Sequence, residues 1–185
     1  VRRWLFRRAA RRAGAAVWLH VRVCGVRVGD AVLGHLRAVS GVVCARLLRQ
    51  PAILSWLAHP DVAADRRGYG RMLTDLRNLA GREPVAANNF RLLRLWKGRE
   101  MVRIALREVA GVAPLEETLI ELSQLADICL TTVFEYWNEE FRRRWGAPAS
   151  ELAIFGLGKL GGRELNHSSD VDLIFVYSEE GNLTA

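Results

Sequence analysis

The alternation of hydrophobic and polar positions predicts three helices followed by two short strands. Apolar residues recur at helical spacing between residues 66 and 80, which predicts a short amphipathic helix. A second helix is predicted over residues 90–110, and Asn88 and Asn89 are suited to cap its start. The third and longest helix is predicted over residues 115–145, because an apolar stripe runs through it at three-to-four spacing.

The charged residues of these helices are interpreted as structural. Arginines 142–144 match the dipole at the end of the longest helix, and we interpret them as a solvated helix end. The basic residues between 91 and 103 are expected to form ion pairs with Glu100, Glu108 and the next helix. Three tryptophans are interpreted as core or packing residues instead of a base-stacking platform: Trp96, Trp137 and Trp145.

Two apolar runs near the C-terminus predict strands on either side of a glycine-rich loop. The first run covers residues 152–155 and the second covers residues 171–177. A short polar segment that is compatible with a helix follows the loop. Because the second run is apolar on both faces, we expect an interior strand of a covered sheet. The predicted fold class is α+β, with a mainly helical N-terminal portion before a strand, glycine loop, helix and strand unit.

Two carboxylates stand at the beginning of the second run, at Asp170 and Asp172. Side chains alternate along a strand that rises about 3.3 Å per residue, so the two residues would point the same way, roughly 7 Å apart. Magnesium prefers oxygen ligands and usually keeps positions for water and phosphate. The spacing therefore indicates half of a Mg²⁺ site.

The glycine-rich loop is typical of phosphate binding, since glycines let the backbone approach an anion closely. Lys159 and Arg163 are placed to add positive charge. A structural turn is the alternative, because aspartates and glycines are common at the ends of strands. The combination of loop, basic residues and paired carboxylates favours a nucleotide and metal site.

Residues 156–175, GLGKLGGRELNHSSDVDLIF, also carry a family resemblance. They closely resemble the signature of the glutamine synthetase adenylyltransferase/adenylyl-removing enzymes, whose catalytic domains belong to the DNA polymerase beta-like nucleotidyltransferases. Every fixed position of G-x-G-K-L-G-G-x-E-L-x-x-x-S-D-x-D-L is met. Enzymes of this family carry one domain that attaches AMP to a tyrosine of glutamine synthetase and one that removes it by phosphorolysis. The wording of residues 164–166 resembles the N-terminal, removing half, although His167 stands where an aromatic residue is usual.

The resemblance implies a site, a cofactor and partners. It implies that Mg²⁺ is held by Asp170 and Asp172, and that ATP or ADP is a substrate or product. It implies glutamine synthetase and a nitrogen-signalling regulatory protein as partners. The further residues implied to meet phosphate or nucleotide are Gly161, Gly162, Ser168, Ser169, Lys159 and Arg163.

The same resemblance leads us to expect a piece of a larger enzyme. The superfamily uses a third carboxylate on a later strand, and no such strand follows before Ala185. We therefore expect the chain to be inactive by itself. We interpret residues 151–185 as the start of the catalytic domain, residues 41–150 as a helical region, and residues 1–40 as a basic segment that is foreign to the fold or disordered.

The positive charge is confined to the beginning of the chain. The net charge is +7, but residues 1–49 hold eleven arginines and one acidic residue, whereas the remainder holds 16 basic and 19 acidic residues. We therefore predict no nucleic-acid partner, although a high pI usually indicates one. We predict neither a secretory signal nor a membrane span, because no sufficiently long uninterrupted apolar run is present. Its three cysteines lack metal-ligand or disulfide spacing, which fits a cytoplasmic setting.

Two alternatives stay open at this point. One is another polymerase beta-like nucleotidyltransferase, which would still depend on the metal. The other is a helical interaction module whose remnant site does no chemistry. An interaction module should bind its partner equally well after magnesium is removed.

Overall fold

The computed structural model describes residues 22–23, 26–27, 50, 52–57, 62, 65–81, 87–148 and 150–180. Almost all of the basic segment 1–40 lies outside the described residues, and so do Cys24 and Cys44. Their interpretation stays a prediction.

The described elements are five helices and four strands. They are β1 (Arg22–Val23), β2 (Val26–Arg27), α1 (Ala52–Leu57), α2 (Tyr69–Ala80), α3 (Ala87–Val109), α4 (Leu115–Trp145), β3 (Leu152–Gly156), α5 (Gly158–Gly161) and β4 (Leu173–Tyr177). Strands β1 and β2 pair with each other in an antiparallel hairpin. The α+β class that the pattern predicted is confirmed, with helices dominating and a small antiparallel sheet formed by β3 and β4.

Helices α2, α3 and α4 form the core of the described chain. The predicted helix over residues 66–80 is confirmed as α2, with Met72 and Leu76 buried against the other two helices. Trp96 of α3 is 1% exposed. The same cluster continues into Leu160 and Leu165, which belong to the glycine-rich motif. Burial of each such side chain contributes about 1.5 to 3 kcal/mol relative to exposure, so the motif is fastened to the helices.

The ends of the helices agree with the prediction in one case and differ in another. Helix α4 has the predicted bounds, with Pro114 before it and Gly146 after it in a left-handed conformation (φ 85°). Helix α3 begins at Ala87, so residues 88–89 lie inside its first turn and the predicted cap position is wrong. Phe90 has φ 57° and packs edge-on against an aromatic ring of α4, so tertiary packing shapes this start.

A buried ion-pair network joins α2, α3 and α4. Arg103 is fully buried, with Nε 2.7 Å from Glu100 Oε2 and Nη2 2.7 Å from Glu121 Oε1. The other members of the network are Arg67, Asp75, Arg99, Arg107 and Glu117. The expected pairing of basic α3 residues with Glu100 and the next helix is thereby confirmed.

The C-terminal part of α4 extends beyond this core. Trp137 and Trp145 are 55% and 56% exposed, so a core position is wrong for them, although each ring packs against an aromatic neighbour within α4. The arginines of residues 142–144 are exposed as expected, and two of them pair with Glu140. In the part of the chain that the structure describes, no helix has the length and apolar character to cross a membrane.

The sheet near the C-terminus is exposed. Strands β3 and β4 are antiparallel, with a register that runs from Leu152 opposite Tyr177 to Gly156 opposite Leu173. Four consecutive residues of β4, 174–177, are about half exposed. The predicted covered strand is therefore wrong for the described residues. A strand that is apolar on both faces needs a layer on each face, and the described elements cover little of either.

Candidate functional site

The glycine-rich segment forms the helical turn itself. Strand β3 leads directly into α5, where Gly161 N–H donates to the Leu157 carbonyl (3.2 Å) and Gly162 N–H donates to the Gly158 carbonyl (2.9 Å). The polar segment between the loop and Asp170, which was interpreted as compatible with a helix, contains no helix and only a turn at residues 167–168. The helical turn lies earlier in the sequence than predicted, because the N–H groups of the glycines themselves make its hydrogen bonds.

The turn lies in close contact with the end of β3. A β-carbon added to Gly161 would be 2.5 Å from the Gly156 carbonyl oxygen. A β-carbon added to Gly156 would be 2.9 Å from the side chain of Leu160, which is 5% exposed. Glycine at these positions is therefore required by packing, whatever else the loop binds.

The backbone amides of Gly161 and Gly162 already have acceptors within the turn, at Leu157 and Gly158. These two N–H groups are therefore not free to bind an anion, and an anion at this turn would contact the glycines mainly because they have no side chains. Their role in meeting phosphate stays a prediction. Lys159 is exposed on α5 and available as a positive charge.

The two carboxylates lie just before β4 and not within it. The strand begins at Leu173, so the alternation argument does not apply to Asp170 and Asp172. Both residues are exposed, and neither side chain has a hydrogen-bond or ion-pair partner among the described residues. The carbonyl of Asp172 accepts a hydrogen bond from Leu157 N–H (2.9 Å). This bond holds the carboxylate pair beside the glycine turn.

A closed turn precedes the carboxylates. Asn166 Oδ1 accepts hydrogen bonds from Ser168 N–H (3.0 Å) and Ser169 Oγ (2.8 Å). Ser169 Oγ in turn accepts from Asn166 N–H at 3.2 Å. Both hydroxyl residues predicted to meet phosphate thus lie in one turn next to Asp170, with the Ser169 hydroxyl engaged by Asn166.

The donor set suits a hard cation but is partial. Two unpaired carboxylates match two ligand positions of Mg²⁺, which commonly keeps water and phosphate in its other positions. Among the residues that the structure describes, no group of three or more His, Cys, Asp or Glu side chains is placed to hold a metal. Asp170 and Asp172 would suit a magnesium ion that took its further ligands from water and phosphate, and their role as metal ligands stays a prediction.

Residues 163–167, here named the anchor segment, fasten this site to the helices. Arg163 has φ 60° and pairs with Asp127 of α4. Leu165 is 7% exposed, and its N–H donates to Ser123 Oγ of α4 (3.3 Å). Arg163, which was predicted to contribute positive charge to phosphate binding, is thus already paired with a carboxylate.

A third contact of the anchor segment reaches α3. His167 Nε2 is 3.0 Å from Glu108 Oε2, and the imidazole side chain is 7% exposed. Glu108 was expected to pair with the basic residues of its own helix, and its contact with His167 was missed. The partners of the anchor segment are far away in sequence, and no local pattern indicates them.

An open groove of about 500 Å³ lies between α4 and β3. Leu130 and Phe134 line it from α4, and Ile154 lines it from β3. Asp170 and Asp172 do not line it. The glycine turn also lines it. The candidate site is the exposed surface where this turn meets the carboxylate pair, and the groove adjoins that surface.

Comparison with known proteins agrees with the motif. A family model for glutamate-ammonia ligase adenylyltransferase matches residues 31–184. Similar relatives are named bifunctional glutamine synthetase adenylyltransferase/adenylyl-removing enzyme. The relative from Thioalkalivibrio sulfidiphilus is 37% identical over 150 residues, which cover 78% of this chain and 16% of the relative. The relative from Methylococcus capsulatus is 40% identical over 99 residues, covering 50% and 10% respectively.

A third relative, from Nitrosococcus oceani, is 47% identical over 98 residues, which cover 49% of this chain and 10% of the relative. The chain thus spans no more than 16% of the length of these three relatives. The family match covers most of the chain and includes the glycine turn, the anchor segment and both carboxylates. The chain therefore belongs to the glutamate-ammonia ligase adenylyltransferase family.

Proposed function

We propose that the chain supplies part of a nucleotidyltransferase that acts on a tyrosine of glutamine synthetase, in the direction that removes AMP. The names of the relatives include both attachment and removal of an adenylyl group. We propose removal of AMP, and not its attachment, because the sequence Glu-Leu-Asn at residues 164–166 resembles the removing half of these enzymes.

The observation that carries the proposal is the hydrogen bond between Leu157 N–H and the Asp172 carbonyl, at 2.9 Å. It brings a glycine turn and two exposed, unpaired carboxylates to one surface. A phosphate group needs close backbone approach and a cation needs oxygen ligands, and this surface offers both. A structural turn alone would gain nothing from two neighbouring carboxylates that no positive group compensates.

In the proposed reaction, an oxygen of inorganic phosphate attacks the phosphorus of the adenylyl group, and the bond from that phosphorus to the tyrosine oxygen breaks. ADP forms, and the tyrosine leaves as its hydroxyl after taking up a proton. Asp170 and Asp172 would hold Mg²⁺, which would stabilise negative charge on the attacking and leaving oxygens. Lys159 would attract phosphate to the turn, since it is exposed and lies in α5.

The described residues supply two carboxylates and a sheet of two paired strands at this site. Two strands alone seldom form a stable sheet. We therefore propose that the 185-residue chain by itself has no adenylyl-removing activity, and that nucleotide and glutamine synthetase are bound together with other parts of the enzyme. Phosphorolysis by the 185-residue chain alone would contradict this.

The function is tested in a full-length enzyme in which residues 31–184 replace the matching segment of the Thioalkalivibrio sulfidiphilus relative. ADP release from adenylylated glutamine synthetase is measured with phosphate and magnesium. The Asp170→Asn/Asp172→Asn variant should lose at least roughly a hundredfold in rate. Mutation of a residue that only hydrogen-bonds to a metal ligand can already cost roughly a hundredfold, and loss of the ligands themselves should cost at least as much. Asp65→Asn, at an exposed aspartate outside the motif, is the matched control and should keep the wild-type rate.

Two outcomes would correct the proposal. If the wild-type chimera attaches AMP from ATP and releases pyrophosphate, the metal site stands and the proposed direction is wrong. If the double variant removes AMP at the wild-type rate, the carboxylates are not the metal ligands and the assignment of the site fails.

A further inference from the structure

His167 makes a contact that stability alone does not explain. Its Nε2 lies 3.0 Å from Glu108 Oε2, whereas its Nδ1 is buried and has no hydrogen-bond partner among the described residues. A buried nitrogen without a partner costs free energy. A phenyl ring would fill the same space without that cost. The histidine therefore offers a directed contact with Glu108 that a phenyl ring would lack.

His167 lies shortly before the carboxylate pair, so its contact with Glu108 can affect where the carboxylates lie. It lies inside the closed turn of residues 166–169, in which Asn166 binds both the Ser168 amide and the Ser169 hydroxyl. Asp170 follows this turn directly. A turn with its own internal hydrogen bonds moves as a unit, so a contact that orients His167 also orients the chain leading to the carboxylates.

Glu108 is well placed to hold that unit. It lies in α3, whose neighbouring residues Leu106 and Arg107 are buried, and its side chain is 27% exposed. The contact joins residues that are 59 positions apart. The helix therefore provides a rigid base, and the hydrogen bond transmits its position to the turn.

We propose that His167 and Glu108 are a positioning pair, which fixes the 166–169 turn on α3 and thereby sets the places of Asp170 and Asp172. This inference rests on the proposed function for its catalytic meaning. Neither residue is assigned contact with phosphate, nucleotide or metal. Their effect on the reaction passes through the backbone that carries the carboxylates.

Three variants separate positioning from simple support of the fold. His167→Gln keeps an N–H donor near the place of Nε2, whereas His167→Phe keeps a ring and loses the donor. The double variant His167→Phe/Glu108→Leu removes both polar groups, so that it leaves no carboxylate without its partner and folds even where His167→Phe does not. Glu140→Leu removes a carboxylate from an ion pair on α4 and is the matched control.

The first measurement is amide hydrogen exchange of the 185-residue chain, together with its free energy of unfolding. In His167→Phe and in the double variant, the Ser168 and Ser169 amides, which both donate to Asn166, should exchange faster by roughly five- to tenfold, as expected for one lost net hydrogen bond. The free energy of unfolding of the double variant should stay close to that of wild type. His167→Gln and Glu140→Leu should exchange like wild type. Unchanged exchange at the Ser168 and Ser169 amides in a folded double variant would overturn the positioning pair.

The second measurement is steady-state kinetics in the chimeric enzyme described above, with Mn²⁺ titrated in place of magnesium. The double variant should bind Mn²⁺ roughly tenfold more weakly and lose kcat, since supporting contacts of a metal site have effects of this size. The KM for adenylylated glutamine synthetase should not change, and His167→Gln should restore kcat. A His167→Gln rate as low as that of the double variant would contradict the inference. A wild-type chimera without activity would refute the proposed function, while the exchange result would still decide whether the pair orders the turn.

Discussion

Gly161 and Gly156 approach each other so closely that a β-carbon on Gly161 would lie 2.5 Å from the Gly156 carbonyl oxygen. Real β-carbons do not approach a backbone oxygen to this distance. Helix α5 and the end of β3 are therefore joined at a separation that only glycine allows. The neighbouring Gly162 differs, because an added β-carbon there would have its nearest contact at 3.5 Å.

Gly161→Ala is expected to destabilise the chain by about 1 to 3 kcal/mol, because the backbone must shift to admit the methyl group. Gly162→Ala should change stability by less than about 1 kcal/mol, since its φ of −78° suits alanine. Urea denaturation of both variants measures the difference. Equal stabilities for the two variants would show that the close approach does not hold in solution.

Ser123→Ala is expected to loosen the anchor segment. The Ser123 hydroxyl accepts the buried N–H of Leu165 at 3.3 Å, and its loss leaves that amide without an acceptor, at a cost of about 1 to 3 kcal/mol. Thr132→Ala is the control, because among the described residues its hydroxyl bonds to the Ile128 carbonyl of its own helix and to no other element. Denaturation and hydrogen exchange at Leu165 check this; a Leu165 amide that exchanges no faster in Ser123→Ala would contradict it.

Arg103→Met tests the buried ion-pair network. It leaves Glu100 and Glu121 buried without their close partner, so we expect a loss of about 3 to 5 kcal/mol in the free energy of unfolding. Arg143→Met removes an exposed partner of Glu140 and should leave the free energy of unfolding close to that of wild type, because water screens a surface ion pair. Thermal and urea denaturation measure both. A small effect at Arg103 would contradict the expected cost and show that the other arginines of the network compensate the two carboxylates.

Cys129 predicts a dependence of stability on alkaline pH. Burial raises the pKa of its thiol to about 11 from an ordinary 9.0, although Lys97 opposes the rise. The unfolded chain thus releases this proton near pH 9, and the folded chain only near pH 11. The stabilising contribution is complete below pH 9 and is lost as the pH rises from about 9 to about 11.

The measurement is the free energy of unfolding from pH 8 to pH 11, in wild type and in Cys129→Ala. Both proteins contain the other groups that titrate in this range, so the difference between the two curves isolates the thiol. Wild type should lose stability more steeply than the variant above pH 9. Parallel curves would show that Cys129 is accessible to water.

The sequence predicted what local chemistry determines. The bounds of α4 follow from Pro114, Gly146 and the charges of its first and last turns, all of which act within the helix. The glycines and carboxylates were identified because they are close in sequence. The exposure of Trp137 and of β4 was missed, because periodicity shows which faces are apolar and not which elements cover them.

The supports of the candidate site were missed for a related reason. Arg163 pairs with a residue 36 positions away, Leu165 with one 42 positions away and His167 with one 59 positions away. Contacts over such separations arise when α3, α4 and the anchor segment pack together. A single sequence carries no periodic signal for them.

The contacts of the anchor segment with α4 also impose a length. Asp127 and Ser123 are one helical turn apart, about 6 Å along the axis, and their partners Arg163 and Leu165 are two residues apart, a span of at most about 7 Å. The two spacings therefore agree, and the anchor segment runs antiparallel to α4, since the later residue, Leu165, contacts the earlier helix position, Ser123. Deletion of one residue between Gly162 and His167 would put the wrong side chains against α4 and draw Asp170 away from the glycine turn. The number of residues between Gly162 and Asp170 is therefore fixed by these contacts, and it matters as much as the identities of the glycine and the aspartate.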